Sequence, residues 1–247
     1  MRIAVLTDLH ANLEAVQATL AHAQEQGAER YALLGDFVGY GADPAAVVTL
    51  VRERVAAGAF AVKGNHDAAV VRGAAPSMRP EARTVIEWTR SRLDAGQLAF
   101  LDALPLTQAL GEMLFVHANA YAPEGWDYIT GRMEAMRSLH ATPQRITFCG
   151  HMHDPMLYHL SLAGKVGDFT PAPGVAMPLL SSRRWLVIPG AVGQPRDGNP
   201  AACYALYDDT AQQITYWRVP YDYETTAAKI HDAQLPQSLA DRLADGT

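Results

Sequence analysis

Apolar positions in this chain come in short runs that stop abruptly at polar residues, and the runs alternate with segments of helical spacing. Residues 2–7 are apolar at nearly every position (Ile3, Ala4, Val5, Leu6), the pattern of a strand buried on both faces. Residues 12–26 carry Leu13, Val16 and Leu20 at helical spacing and stop at Gly27. Residues 31–34 predict a second strand, broken by Gly35-Asp36. Asp43-Pro44 then opens a helix, with Asp suited to cap it and Pro to fill its first position. Val47, Val48, Val51 and Val55 form its inner face, and Gly58 ends it. A third strand, residues 59–63, runs into Gly64-Asn65-His66-Asp67. The first third therefore reads β-α-β-α-β, the signature of an α/β sheet.

Residues 72–80 read as a loop of small residues, followed by helices over 81–93 (Val85, Ile86, Trp88 and Thr89 inward) and about 95–104. After Pro105 the texture changes. Residues 106–110 and 113–116 predict a hairpin turning at Gly111-Glu112 and ending at His117. An aromatic loop at 121–130 and a helix at 132–140 precede a strand at 145–149, which breaks at Gly150-His151-Met152-His153. Strands follow at 156–162, 184–188, 202–207 and 214–219, with a Gly/Pro-dense loop at 190–200. The tail, 223–244, reads as two helical pieces separated by Pro236. No repeat or linker interrupts the chain, so one domain over 1–247 is expected, with two β-rich halves.

Composition narrows the function. The 247 residues are 49% hydrophobic and 19% charged, ordinary for a soluble globular protein with a sizeable core. Net charge is −6 and no cluster of five basic residues occurs, so a nucleic-acid partner is not expected. Cys149 and Cys203 fit neither a disulfide framework nor a zinc ribbon and read as small buried hydrophobes. No membrane span or signal-peptide core is visible, which predicts a cytoplasmic protein without a membrane partner. A homo-oligomer is left open.

Five apolar runs end in Asp, His or Asn: Asp8 and His10; Asp36; Asn65, His66 and Asp67; His117; His151 and His153. Each alone reads as a turn or surface residue. Together they predict a site, because loops at the carboxyl ends of strands in an α/β sheet gather at one edge. The spacings Asp-x-His and His-x-His place two side chains on one side of an extended loop. Mixed imidazole, carboxylate and amide donors without thiolate suit Mn, Fe, Zn, Ni or Co. The number of ligands exceeds what one tetrahedral ion uses, so two ions sharing a carboxylate are expected, as in enzymes that cleave phosphoryl esters.

These residues carry a resemblance. Asp8-x-His10, Gly35-Asp36, Gly64-Asn65-His66-Asp67, His117 and Gly150-His151-x-His153 match, in order, the five motifs of the calcineurin-like metallophosphoesterases, most like the small bacterial phosphodiesterase branch. The resemblance implies an α/β fold, a four-layer αββα sandwich of two mixed sheets flanked by helices, with a dimetal site at the carboxyl ends of the strands. It implies a first metal on Asp8, His10, Asp36 and His153, and a second on Asp36, Asn65, His117 and His151, with Asp36 bridging. Manganese is the foremost candidate for both ions. It implies hydrolysis of a small-molecule phosphodiester or phosphomonoester, such as a nucleotide, by in-line attack of a metal-bridging hydroxide. His66 would face the phosphate and assist the leaving group, and Asp67 would orient His66. A neighbouring carboxylate would raise the His66 pKa and make it a proton donor at neutral pH. The alternative is a non-enzymatic scaffold of the same fold, which ought to have lost ligands; this chain keeps each one.

Departures from the family pattern touch the rim. Phe37-Val38-Gly39-Tyr40-Gly41 stands where protein phosphatases carry a phosphate-clamping arginine, which argues against a protein substrate. Ala11 replaces a common Gly, and Ile188-Pro189-Gly190-Ala191 a more usual Asn-Pro-Gly-Ser. Two residues are candidate substrate contacts: Arg196, in a turn-rich loop, for a phosphate, and Tyr40, just past Asp36, for a base. Asn12 and Asp67 each also suit a helix N-cap. His22, His140, His159 and His231 have no partner motif and read as surface or packing residues.

Overall fold

In the computed structural model, which describes residues 1–74 and 80–247, two six-stranded sheets lie between layers of helix. The first sheet has the order β3(Phe60–Ala61), β2(Arg30–Leu33), β1(Arg2–Leu6), β11(Ala202–Asp208), β12(Gln213–Val219), β9(Ala176–Pro178). The second runs β4(Thr107–Leu110), β5(Met113–Val116), β6(Ile146–Phe148), β10(Arg183–Ile188), β7(Met156–Ser161), β8(Val166–Phe169). Both are mixed: β1, β2 and β3 are mutually parallel, as are β5, β6 and β10, and the remaining pairs are antiparallel.

The four layers follow from alternation along each strand. In β1, Ile3 and Val5 pack with Phe115, Phe148, Val187 and Tyr207 into a core between the sheets. Ala4 and Leu6 point the other way, into a core shared with α1(Leu13–Glu25), α2(Pro44–Ala56) and α5(Ala95–Ala103). Both faces are covered, which is why β1 reads as an unbroken apolar run. On the far side of the second sheet, Ala135 and Leu139 of α6(Arg132–His140) pack on Val116, Leu186 and Ile188. A fourth cluster joins α4(Pro80–Ser91) to the C-terminal α7(Tyr223–Asp232) and α8(Gln237–Asp245) through Val85, Ile230, Leu239 and Leu243. The αββα sandwich expected from the motifs is the observed architecture.

Several boundaries differ from the sequence pattern. The strand expected at 59–63 contracts to Phe60–Ala61, and α3(Asn65–Arg72) starts two residues before the Asp67 cap that the sequence allowed. Strands β8 and β9 were not anticipated; β8 is half-exposed and β9 edges its sheet, so neither has the apolar pattern of a buried strand. The small-residue loop at 72–80 lies largely outside the described residues. Cys149 and Cys203 are buried free thiols, as expected.

Candidate dimetal centre

The parallel strands β1, β2 and β3, and β5 and β6 in the second sheet, end side by side, and the loops that follow them carry the polar residues singled out above. The loops interlock through their own backbone: His10 N–H donates to the Asp36 carbonyl at 2.9 Å, and Gly150 N–H to the His117 carbonyl at 2.7 Å. Glycines allow the approach. A Cβ on Gly64 would lie 2.2 Å from the amide nitrogen and Oδ1 of Asp36, and one on Gly150 would lie 1.8 Å from Thr7 Oγ1. Gly64 itself has extended backbone (φ −98°), so what requires a glycine here is space against Asp36.

The left-handed conformation supplies the rest of the geometry. Asp8, His10, Ala11, Asp36, Tyr40, His151 and His153 all have φ between 47° and 68°. Asp8 and His10 therefore converge through kinks, where the spacing alone predicted extended alternation. Such positions cost free energy and cluster where a site over-determines them. Ala11 explains its own anomaly: at φ 51° a Gly would sit without strain, which accounts for the family's preference.

Two groups of ligand atoms result. Asp8, His10 and His153 form one, with His10 Nε2 3.1 Å from His153 Nε2 and His153 Nε2 3.4 Å from Asp8 Oδ1. Asp36, His117 and His151 form the other, with His117 Nε2 3.3 Å from both Asp36 Oδ2 and His151 Nδ1. Asn65 Oδ1 joins this second group, 3.0 Å from His117 Nε2. Asp36 Oδ2 also lies 4.0 Å from His10 Nε2, so this one carboxylate oxygen stands between the groups. His66 sits near the junction, grouped with His10 and Asp36.

Backbone carbonyls set the histidines. Val38 O lies 3.2 Å from His10 Nδ1, Leu34 O 2.7 Å from His117 Nδ1, and Gln194 O 2.5 Å from His153 Nδ1. Each carbonyl accepts the Nδ1 proton, so in the neutral ring the Nε2 lone pair faces inward, the arrangement of a metal-binding imidazole. Asp8 Oδ2 accepts from Thr7 Oγ1 and the His151 amide, while its buried Oδ1 has no hydrogen-bond partner. An unpartnered carboxylate oxygen facing two imidazole lone pairs fits a cation, and the mixed N/O donor set fits a divalent transition ion.

The sequence model of the calcineurin-like phosphoesterase superfamily domain matches residues 1–212. The chain belongs to the calcineurin-like metallophosphoesterases. An uncharacterised protein of Methanocaldococcus jannaschii is 33% identical over 246 residues, covering 98% of this chain and 96% of its own length. Among solved structures, a metallophosphoesterase from Sphaerobacter thermophilus is 37% identical and superposes with TM-score 0.88 over 100% of both chains. A Pyrococcus horikoshii protein, 18% identical, shares the fold with TM-score 0.78 over 100% of this chain and 98% of its own. The chain is accordingly a metal-dependent phosphoesterase, and its clusters suit the divalent metals that the family implies.

The electrostatics of this metallophosphoesterase site are those of a buried charge network. Burial pushes the Asp8 carboxyl up, but His153 and His117 together outweigh it and hold Asp8 below the usual carboxylate range. Burial likewise pushes Asp36 up, but His117, His66 and His10 together outweigh it and hold Asp36 well below that range. Burial alone would lower His117; the Asp36 charge beside it raises it to about 9. His151, buried and next to His117, falls to about 4.

His66 and Asp67 depart from the sequence reading. Asp67 is the third residue of α3, not its N-cap; that place belongs to Gly64. Its Oδ2 accepts from Gly64 N–H and its Oδ1 from Phe37 N–H, both at 2.9 Å, so it clamps two motif loops instead of gripping the His66 ring. Burial, and then the Asp36 charge, raise its pKa to about 7. The His66 ring is set by other neighbours. A Cβ on Gly39 would lie 2.4 Å from His66 Nδ1, Tyr40 packs edge-on with ring centroids 4.6 Å apart, and the His66 amide donates to Asp36 Oδ1 at 2.8 Å. Burial lowers the His66 pKa, so the ring is neutral at neutral pH, opposite to the expectation from Asp67.

At the rim, Arg196 and Tyr40 come together. Arg196 Nη2 donates to Gln194 Oε1 at 2.9 Å and to Tyr40 Oη at 3.4 Å. The Tyr40 ring packs against His10 as well as His66, so it serves as a wall. Asn12 caps α1 through the Ala15 amide and also donates to the Gly193 carbonyl, so it has both roles. Sequence reasoning missed Thr7, Gln194, Trp126 and Tyr128. The Tyr128 ring stacks on His151 at 4.0 Å, and Trp126 meets His117 edge-on at 5.8 Å. The only signal for these two was the aromatic density of their loop. Gln194 acts through its carbonyl, which no side-chain motif reveals.

Proposed function

We propose that this phosphoesterase hydrolyses a small-molecule phosphodiester or phosphomonoester at two divalent ions, manganese foremost. Asp8, His10, Asp36 and His153 would hold one ion, and Asp36, Asn65, His117 and His151 the other. The observation that carries this reading is Asp36 Oδ2, a single oxygen facing His10 of one ligand group and His117 of the other. When bound, the two ions supply Lewis acidity, which neutralises phosphate oxygens and lowers the pKa of water toward neutrality. Two divalent ions against two carboxylates leave net positive charge, which attracts a phosphate.

The chain's own side chains do the rest. His66, neutral and held by Gly39 and Tyr40, faces the phosphate and donates a hydrogen bond from its ring N–H to the leaving oxygen. Arg196, whose buried Nε has no partner among the described residues, supplies a donor and a positive charge at the rim. Asp67 holds the Asp36 and Asn65 loops in register. One domain over 1–247 is consistent with the C-terminal helices closing on the site through Tyr40 and Val85. Among the described residues no helix is long and apolar enough to cross a membrane.

The test is hydrolysis of bis-p-nitrophenyl phosphate and p-nitrophenyl phosphate by the Mn²⁺-loaded protein, with Asp36→Ala as control. The proposal predicts metal-dependent turnover of at least one ester that Asp36→Ala abolishes. Equal turnover in both proteins would reject it.

A further inference from the structure

A cavity of about 630 Å³ opens beside the dimetal site, with Asn65, His66, Tyr40 and Trp126 along one side. Its volume is in the range of sites for drug-sized ligands. One stripe of α3 runs along it: Asn65, Ala68, Ala69 and Arg72, the i, i+3, i+4, i+7 positions of one helix face. At about 1.5 Å of rise per residue, Arg72 lies about 10 Å from Asn65 along the helix axis. Between them, two alanines leave room that larger side chains would fill.

The opposite walls are apolar and firmly packed. Val85 and Ile86 of α4 and Leu239 of α8 line the cavity while belonging to the buried clusters beneath it. Tyr40 and Trp126 add aromatic surface. Two exposed arginines, Arg72 and Arg242, contribute positive charge against one carboxylate, Glu81, among the described lining residues. The cavity is thus an apolar chamber with surplus positive charge, continuous with the residue that faces the leaving group.

We propose that this cavity receives the alcohol half of the substrate, a bulky and largely apolar body that carries a second anionic group. The inference rests on the phosphoesterase reading above and names the substrate class it takes. His66 lines both the reaction site and the chamber, so the alcohol released at His66 is the half that occupies it. The apolar walls select a ring system over a short or strongly hydrated chain. Arg72 and Arg242 select an anion displaced from the scissile phosphate.

Product-like alcohols test this on the full-length, metal-loaded protein. Phenol, 2-naphthol and 6-hydroxy-2-naphthoate are titrated by fluorescence, and each is assayed as an inhibitor of bis-p-nitrophenyl phosphate hydrolysis. The expected result is one site per chain, with 2-naphthol about tenfold tighter than phenol and the naphthoate about tenfold tighter again. Arg72→Gln combined with Arg242→Gln removes the naphthoate's advantage over 2-naphthol. Ala69→Trp fills the chamber and abolishes binding of both naphthyl compounds; Ala82→Trp, on the opposite helix, does the same should Ala69→Trp fail to fold. Equal affinity for the three compounds, or naphthyl binding that survives both tryptophan variants, would overturn the inference. Binding without any ester turnover would reject the enzymatic reading alone, and turnover with flat binding would reject only the cavity assignment.

Discussion

Gly64 and Asp36 stand so close that a methyl group at residue 64 would lie 2.2 Å from both the amide nitrogen and Oδ1 of Asp36. The contact locks the strand that precedes α3 against the carboxylate at the centre of the site. Gly64→Ala therefore has to move Asp36. The expected cost is about 1–3 kcal/mol of folding stability, as for other insertions into packed interiors. Metal affinity should fall as well. Thermal unfolding with and without Mn²⁺ checks both effects: the variant should lose most of the metal-induced rise in Tm.

In the proposed reaction His66 assists the leaving group and is not a metal ligand, although its ring lies within reach of His10 and Asp36. His66→Gln should retain the wild-type metal content and lose about 10²–10⁴ in kcat, the usual range for a positioned proton donor or acceptor. Because burial lowers its pKa, the working ring is neutral. Activity should therefore persist as pH rises from 6.5 to 8, where a required imidazolium would be lost. Metal analysis together with a pH–rate profile separates the two: metal loss, or a falling limb across that interval, contradicts this role.

Proton release tests the second ligand group. In the metal-free protein the Asp36 charge raises His117 to about 9, so its ring binds a proton below that pH. A metal must displace that proton. Affinity should thus rise about tenfold per pH unit up to about 9, then level off. At pH 8 Asp67, raised to about 7, is already ionised, and His151, lowered to about 4, is neutral. Calorimetric titration with Mn²⁺ at pH 8 in buffers of different ionisation enthalpy should report close to one proton released at this group. Uptake, or no exchange, would show that His117 is not a ligand.

Tyr128 offers a check on support from outside the ligand set. Its ring lies parallel to His151, with centroids 4.0 Å apart and planes 12° from parallel. Tyr128→Ala should weaken metal binding by about 10-fold with little change in Tm, because Tyr128 is half exposed and orienting neighbours of metal ligands are typically worth that much. Competition with a fluorescent chelator measures it.

Much of the fold was legible because β1 is covered on both faces and its apolar run stops at Asp8. The ligand groups were legible for a related reason: each ligand follows a strand, and strand ends meet at one edge. What escaped were features made by tertiary contact. Residues 65–72 form a helix because Asp67 and Asp36 accept the Gly64 and His66 amides at its N-terminus, and Asp36 comes from another loop. The family resemblance makes Asp67 the orienter of the His66 ring, yet the helix turns it toward Phe37. The neutral state of His66 came from burial, which adjacency in the chain does not report. The supporting carbonyls of Leu34, Val38 and Gln194 belong to residues with no polar motif at all.

Counting metals tests the shared carboxylate most directly. Reconstituted with Mn²⁺, desalted and analysed by elemental mass spectrometry, the wild-type chain should hold two ions, and Asp36→Ala should hold close to none, because Asp36 Oδ2 faces both ligand groups. An Asp36→Ala protein that is folded and still carries two ions, or a wild-type protein that saturates at one, would contradict the account.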